Sequence, residues 1–177
     1  GVSAMTTAQR LERVKQGKKD PDLLEQLFQF GRFCTIAHTR PGQLPCGLQG
    51  LWNPELRAAW MGCYFLNINS QMNQGPSHVT GLGEFQRSYL DFFLSRRPHG
   101  EEFASFIKRD GFCFGHYTDC WKRTYFSGNN PEWGASLMNG AWACAHLVDS
   151  YRFTGDREDL KKSLPILESN ARFIMSW

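Results

Sequence analysis

Apolar residues recur every three or four positions along most of this chain. The clearest run follows Asp20-Pro21, where Leu24, Leu27, Phe28, Gly31 and Cys34 fall on one helical stripe. Asp20 reads as an N-cap with proline at the first helical position, so a helix is predicted from there to just before Arg40-Pro41-Gly42. Val79, Leu82, Phe85, Tyr89, Phe92 and Phe93 mark a second helix closed by Arg97-Pro98, and Phe103, Phe106 and Ile107 a short third. A fourth carries Leu137, Ala141, Cys144, Ala145, Val148 and Tyr151 and stops at Thr154-Gly155. Asp156 then caps a fifth with Leu160, Leu164, Leu167, Ala171 and Ile174, and Pro165 is expected to start or kink a turn there rather than end the helix. Glycine closing one helix and aspartate opening the next punctuates an antiparallel helical hairpin. No period-two pattern rivals these stripes, so the predicted fold class is all-α, with long aromatic loops between hairpins, as in a toroid whose loops gather at one rim.

Two Gly- and Pro-rich passages break the helical pattern, "PGQLPCGLQGLWNPELRAAW" at 41–60 and "GFCFGHYTDCWKRTYFSGNNPEWG" at 111–134. Their apolar and aromatic content predicts ordered loops at a working surface. Between them, "YFLNINSQMNQGPSH" packs Asn67, Asn69, Gln71, Asn73 and Gln74 beside large apolar side chains. Leu66 and Ile68 alternate with Asn67 and Asn69, which in an extended segment sends both amides to one side, roughly 6–7 Å apart at Cα. Two such carboxamides can hold one water by their oxygens while their NH2 groups bind something else. The alternative is that both satisfy loop backbone.

Composition narrows the function. Hydrophobic content of 41% with 14% aromatic residues describes an ordinary globular protein and excludes disorder. The net charge of +3 is spread along the chain with basic residues in pairs at most, too dilute for a nucleic-acid footprint. No apolar run approaches the ~20 residues that span a bilayer. The six cysteines form no CxxC pair and have no histidine at zinc-finger spacing, so no metal site is expected, and Cys34 and Cys144 read as thiols buried on helical stripes. The chain opens on Gly1 and its last helical pattern runs up to Trp177. It is therefore expected to be a piece of a longer one, with 1–19 as a lead-in.

Taken together and in this order, "LFQFGRFCTIAHTRPGQLPCGLQGLWN", "YFLNINSQMNQGPSH", "GHYTDCW" and "NGAWACAHLVDSYRFTGD" resemble the catalytic domain of glycoside hydrolase family 95, the inverting α-L-fucosidases, from about Asp20 to Trp177. The resemblance implies an (α/α)6 barrel of which 20–177 is the first part, completed by the rest of the same domain. It also implies an oligosaccharide or glycan substrate, no cofactor and a secreted or periplasmic setting. Asn67 and Asn69 match the family asparagines that position the attacking water, together with an Asp much farther along, while a downstream Glu protonates the leaving oxygen. Both carboxylates are expected beyond Trp177. The chemistry is coherent, because an inverting glycosidase holds a water between base and sugar with its carboxyl groups ~6.5–9.5 Å apart. Amides can aim that water but cannot take its proton.

Further candidates each carry two readings. His116 and Asp119 in "HYTDCW" could hydrogen-bond sugar hydroxyls or brace the loop as a pair. Trp142 could be a platform for a sugar ring or a core residue at a helix start. Trp52, Trp60, Trp121 and Trp133 also lie in loops and are not ranked. His146 shares the face of Trp142 and reads as a satisfied core histidine. Glu84, Asp91, Glu101 and Glu102 read as solvated helix charges.

The chain also departs from the family pattern. Ser70-Gln71-Met72-Asn73-Gln74-Gly75-Pro76 stands for the usual Thr-Glu-Met-Asn-Tyr-Trp-Pro, Tyr117 for a common Asn, and Val148-Asp149-Ser150 for a frequent Trp-Glu-His. L-galactose or an unusual fucosyl linkage therefore enters beside terminal α-L-fucose. A non-catalytic carbohydrate-binding or structural protein on the same scaffold, and another (α/α)6 carbohydrate-active enzyme, are the competing functions. An incomplete toroid is expected to leave faces such as Phe85, Tyr89 and Phe92 uncovered.

Overall fold

The computed structural model describes residues 2–125 and 136–177. Thr6 opens α1 (Thr7–Lys15) with a capping box closed by Gln9, so the residues ahead of Asp20 hold a helix of their own. Asp20 then serves twice. Its Oδ1 accepts from Leu23 N–H at 3.1 Å and caps α2 (Pro21–His38), while its two oxygens take Arg10 Nε and an Arg10 Nη at 2.8 and 2.5 Å and tie α1 to α2. The helix lies where the stripe predicts, yet Leu23 is its one buried residue; Leu24, Leu27 and Phe30 are 70%, 66% and 61% exposed.

Short helices α3 (Asn69–Gln74) and α4 (Pro76–Val79) lead into α5 (Gly83–Leu94) and α6 (Arg97–Phe106). The predicted second helix is thus two, α4 and α5, parted by Gly81 at φ 72. After the long loop come α7 (Asn139–Thr154) and α8 (Arg157–Met175), joined as the sequence predicts. Gly155 ends α7 in the left-handed conformation, and the Asp156 carboxylate accepts from the N–H groups of Glu158 and Asp159 to open α8. Pro165 sits inside α8, which runs on past it.

The core is built of rings. Tyr89 and Phe93 of α5 meet at 4.4 Å between centroids, Phe93 meets Phe114 at 5.1 Å, and Phe114 meets Phe112 at 4.6 Å. Cys144 and Leu147 of α7 and Ile166 of α8 close over this ladder. Each fully buried ring contributes roughly 1.5–3 kcal/mol. Of the residues expected to be bare, Tyr89 and Phe92 are covered, at 1% and 4% exposed, and Phe85 is half-buried; the bare face belongs to α2. The cause is the segment 112–114, which folds back over α5. Gly111 lets it do so: at φ 75, a Cβ there would lie 2.0 Å from the Ser169 carbonyl oxygen, the same oxygen that accepts from Phe112 N–H.

A small antiparallel sheet, absent from the sequence reading, joins the loops. β1 (Tyr64–Phe65) pairs with β2 (Tyr117–Thr118), which pairs with β3 (Thr124–Tyr125), in the order β1-β2-β3 with Tyr64 opposite Thr118. Strands of two residues are too short to display a period-two pattern. Among the acidic residues read as solvated, Glu101 differs: it is half-buried, accepts from Ser169 Oγ at 2.6 Å and Arg97 Nε at 2.8 Å, and links α6 to α8.

Candidate active site

The amide-rich stretch turns instead of running straight. β1 ends at Phe65, Leu66 to Ile68 form a turn, and Asn69 is already the first residue of α3. Leu66 is fully buried and Ile68 46% exposed, so the two do not share the face that an extended segment would give them. Local hydrogen bonds impose the turn. Leu66 N–H donates to the His116 carbonyl at 2.9 Å, the Leu66 carbonyl accepts from Gln71 Nε2 at 2.5 Å, and Met72 N–H donates to the Ile68 carbonyl at 2.9 Å. Asn67 and Asn69 lie half-buried within it. The Oδ1 of Asn67 is enclosed and meets no donor, and neither asparagine side chain is hydrogen-bonded to loop backbone among the described residues.

His116 and Asp119 part company. His116 is 4% exposed, stands edge-on to Phe65 at 5.1 Å and has an unpartnered Nδ1. Asp119 braces the loop through a different partner: Oδ1 accepts from the N–H groups of Trp121 and Arg123, and Oδ2 from Arg123 Nε at 2.9 Å. Behind both stands Arg96, which the sequence showed only as half of a basic pair. Its guanidinium is 1% exposed, lies 3.1 Å from the Phe92 ring centroid, and donates to the Phe92 and Asp119 carbonyls and to Thr118 Oγ1. Burial lowers its pKa to about 10, so it stays charged at neutral pH.

A cleft of about 930 Å³ opens beside β1, walled by Leu56, Arg57, Ala58, Trp60, Met61, Phe65 and His116. Trp60 and Met61 hold φ of 57 and 60, followed by Gly62 at 61, a left-handed turn that costs roughly 1–2 kcal/mol for each non-glycine residue. It sets the Trp60 indole, 68% exposed, edge-on to Phe65 at 5.9 Å. An exposed indole beside a buried imidazole suits the apolar face and hydroxyl edge of a sugar. Trp60 is thus the loop tryptophan that the cleft singles out. The asparagines follow Phe65 by two and four residues and are not themselves walls of this cleft, and among the described residues no carboxylate is.

Trp142 is 39% exposed in the first turn of α7. His146, one turn on, is half-buried and edge-on to Tyr89 at 5.2 Å, and burial lowers its pKa. Trp52 stands edge-on to His38 at 5.7 Å, Trp121 is 73% exposed, and Trp133 lies outside the described residues. The loop at 41–60 is pinned to α2 and α3: Cys46 N–H donates to Thr39 Oγ1 at 3.1 Å, Cys46 Sγ lies 3.2 Å from His38 Nε2, and Asn73 Nδ2 donates to the Gly47 carbonyl at 3.3 Å. Burial pushes the Cys46 thiol up to about 12, which makes it a structural hydrogen-bonding group rather than a nucleophile.

Residues 2–177 match the glycosyl hydrolase family 95 catalytic domain. The chain is 35% identical over 176 residues to alpha-L-fucosidase 2 of Arabidopsis thaliana, covering 98% of this chain and 21% of that protein. It is 31% identical over 161 residues to a protein named probable alpha-fucosidase A of Aspergillus niger, covering 89% of this chain and 20% of that one. The chain therefore spans about a fifth of the length of these relatives. With the whole described fold inside the match, the chain belongs to glycosyl hydrolase family 95, within its catalytic domain.

Proposed function

We propose that this chain forms part of the active-site wall of an inverting glycosidase acting on terminal α-L-fucose or a related L-sugar of an oligosaccharide or glycan, and that Asn67 and Asn69 orient the attacking water. The observation that carries this is the Oδ1 of Asn67, enclosed without a donor on a turn that hydrogen bonds hold at Leu66 and at the Ile68 carbonyl. An unpaired buried oxygen costs about 1–3 kcal/mol, and a water donating to it recovers that while being held in place. The names of the fucosidase relatives support the sugar.

In this reading His116 and Trp60 contact the sugar, Asp119 holds the loop behind His116, and Trp142 lies farther along as a second platform. Proton transfer needs carboxylates, and none of the described residues walling the cleft is one. The rest of the catalytic domain supplies them. The test is fucose release from a nitrophenyl α-L-fucoside by the product of the whole gene and by its Asn67→Ala and Asn69→Ala variants. Each variant is expected to lose on the order of 10²-fold in kcat with its melting temperature preserved. Wild-type turnover in either variant refutes the water-positioning role. A gene product that binds fucose without releasing it replaces hydrolysis by recognition.

A further inference from the structure

We infer that Gln71 is a positioning residue that fixes Asn67 and Asn69 relative to each other. Its side chain is buried, and its Nε2 donates to the Leu66 carbonyl oxygen at 2.5 Å. That carbonyl belongs to the peptide unit leading into Asn67, while Gln71 is the third residue of the helix that Asn69 opens. The ring closed by this one hydrogen bond therefore contains both asparagines. Leu66 is held from its other side as well, by its N–H on the His116 carbonyl. Neither peptide unit flanking this fully buried residue can rotate without breaking a bond, and the backbone of Asn67 inherits that orientation.

In this chain a donor makes the contact at position 71; the Glu usual in the family pattern could make it only as the neutral acid. In an ordinary capping box the third helical residue, Glu or Gln, accepts a hydrogen bond from the backbone N–H of the cap. Here the cap is Ile68, which offers no side-chain bond, and the direction is reversed: the Gln71 amide gives its hydrogen to a carbonyl two residues ahead of the cap. A carboxylate has only acceptors and would set like partial charges against each other, whereas a protonated acid could still donate. Burial raises the pKa of a carboxyl, to 8–9 in the extreme, so a glutamate at this position would pass between the two states within an accessible pH range.

This inference rests on the role proposed for the two asparagines. Its test measures kcat and KM on a nitrophenyl α-L-fucoside for the whole gene product and its Gln71→Leu and Gln71→Glu variants, from about pH 4 to about pH 9.5, with a melting curve for each. Gln71→Leu is expected to lower kcat on the order of 10²-fold with KM within about twofold, as for a misplaced reacting group. Gln71→Glu is expected to stay near wild type at the acidic end and to lose kcat as its carboxyl ionises, a limb that wild type lacks. A Glu profile that superimposes on wild type throughout, or a Leu variant with wild-type kcat, overturns the inference. Should the Leu variant fail to fold, the Glu profile decides alone. A wild type inert towards fucosides sinks the fucosidase reading instead. The melting temperature of the Glu variant relative to wild type then decides: it falls with rising pH if the side chain holds the turn, and stays level if it does not.

Discussion

The buried guanidinium of Arg96 donates to the main-chain carbonyl of Asp119 across 2.7 Å, and so fastens the loop that carries His116 to the end of α5. The same side chain donates to Thr118 Oγ1 on β2 and to the Phe92 carbonyl, one of the orphan acceptors at a helix C-terminus.

Arg96→Met should therefore take a charged donor from each of these acceptors, leaving the Phe92 carbonyl only Ser95 Oγ and the Asp119 carbonyl only the Lys122 N–H, at up to about 1–3 kcal/mol for any left unsatisfied. Thermal melting is expected to drop by several degrees. Arg96→Lys should recover little, because a point ammonium cannot reach three acceptors set in the plane of a guanidinium. Melting temperatures of the lysine variant equal to wild type would remove the special role of the fork.

The apolar face of α2 sets the second expectation. Leu24, Leu27 and Phe30 line a cavity of about 980 Å³ between α1 and α2, and Phe33 beyond them is 57% exposed. Contiguous apolar surface of this kind drives association. Residues 1–177 produced alone should self-associate, and Leu27→Glu with Phe30→Glu should shift the population towards monomer. Light scattering that reports a monodisperse monomer for the unmodified chain would contradict this.

A third expectation concerns pH. Burial lowers the pKa of His38, His78 and His146 below the ordinary 6.5, so the fold holds them neutral. In the unfolded chain they take up protons below about pH 6.5. Their contribution is thus complete above that value and is lost as pH falls towards the folded-state pKa values. The melting temperature should decline from about pH 7.5 to about pH 5.5, and His146→Gln should flatten that decline. An unchanged melting temperature across this window would show that the imidazoles are free to charge in the fold.

How far the sequence reaches is clear from particular residues. Asp20, Gly155 and Asp156 placed the ends of α2, α7 and α8, because capping is satisfied within a few residues of the helix end and its signals are written locally. The four motifs carried the family, and the NxN pair named the asparagines. The extended geometry considered for Leu66 to Asn69 is replaced by a turn, because the backbone there depends on the His116 carbonyl some fifty residues away and on the side chain of Gln71.

The longer helices α2, α5, α6, α7 and α8 were thus determined by the sequence alone, through local periodicity and caps whose partners lie within a turn or two. Only the tertiary structure decided which stripe is covered and how the cleft is walled. Phe112 and Phe114 shield α5 while α2 stays bare, and Arg96 acquires partners at Thr118 and Asp119, through contacts between residues far apart in the chain. No periodic pattern records such contacts, since each depends on where a distant backbone group comes to rest.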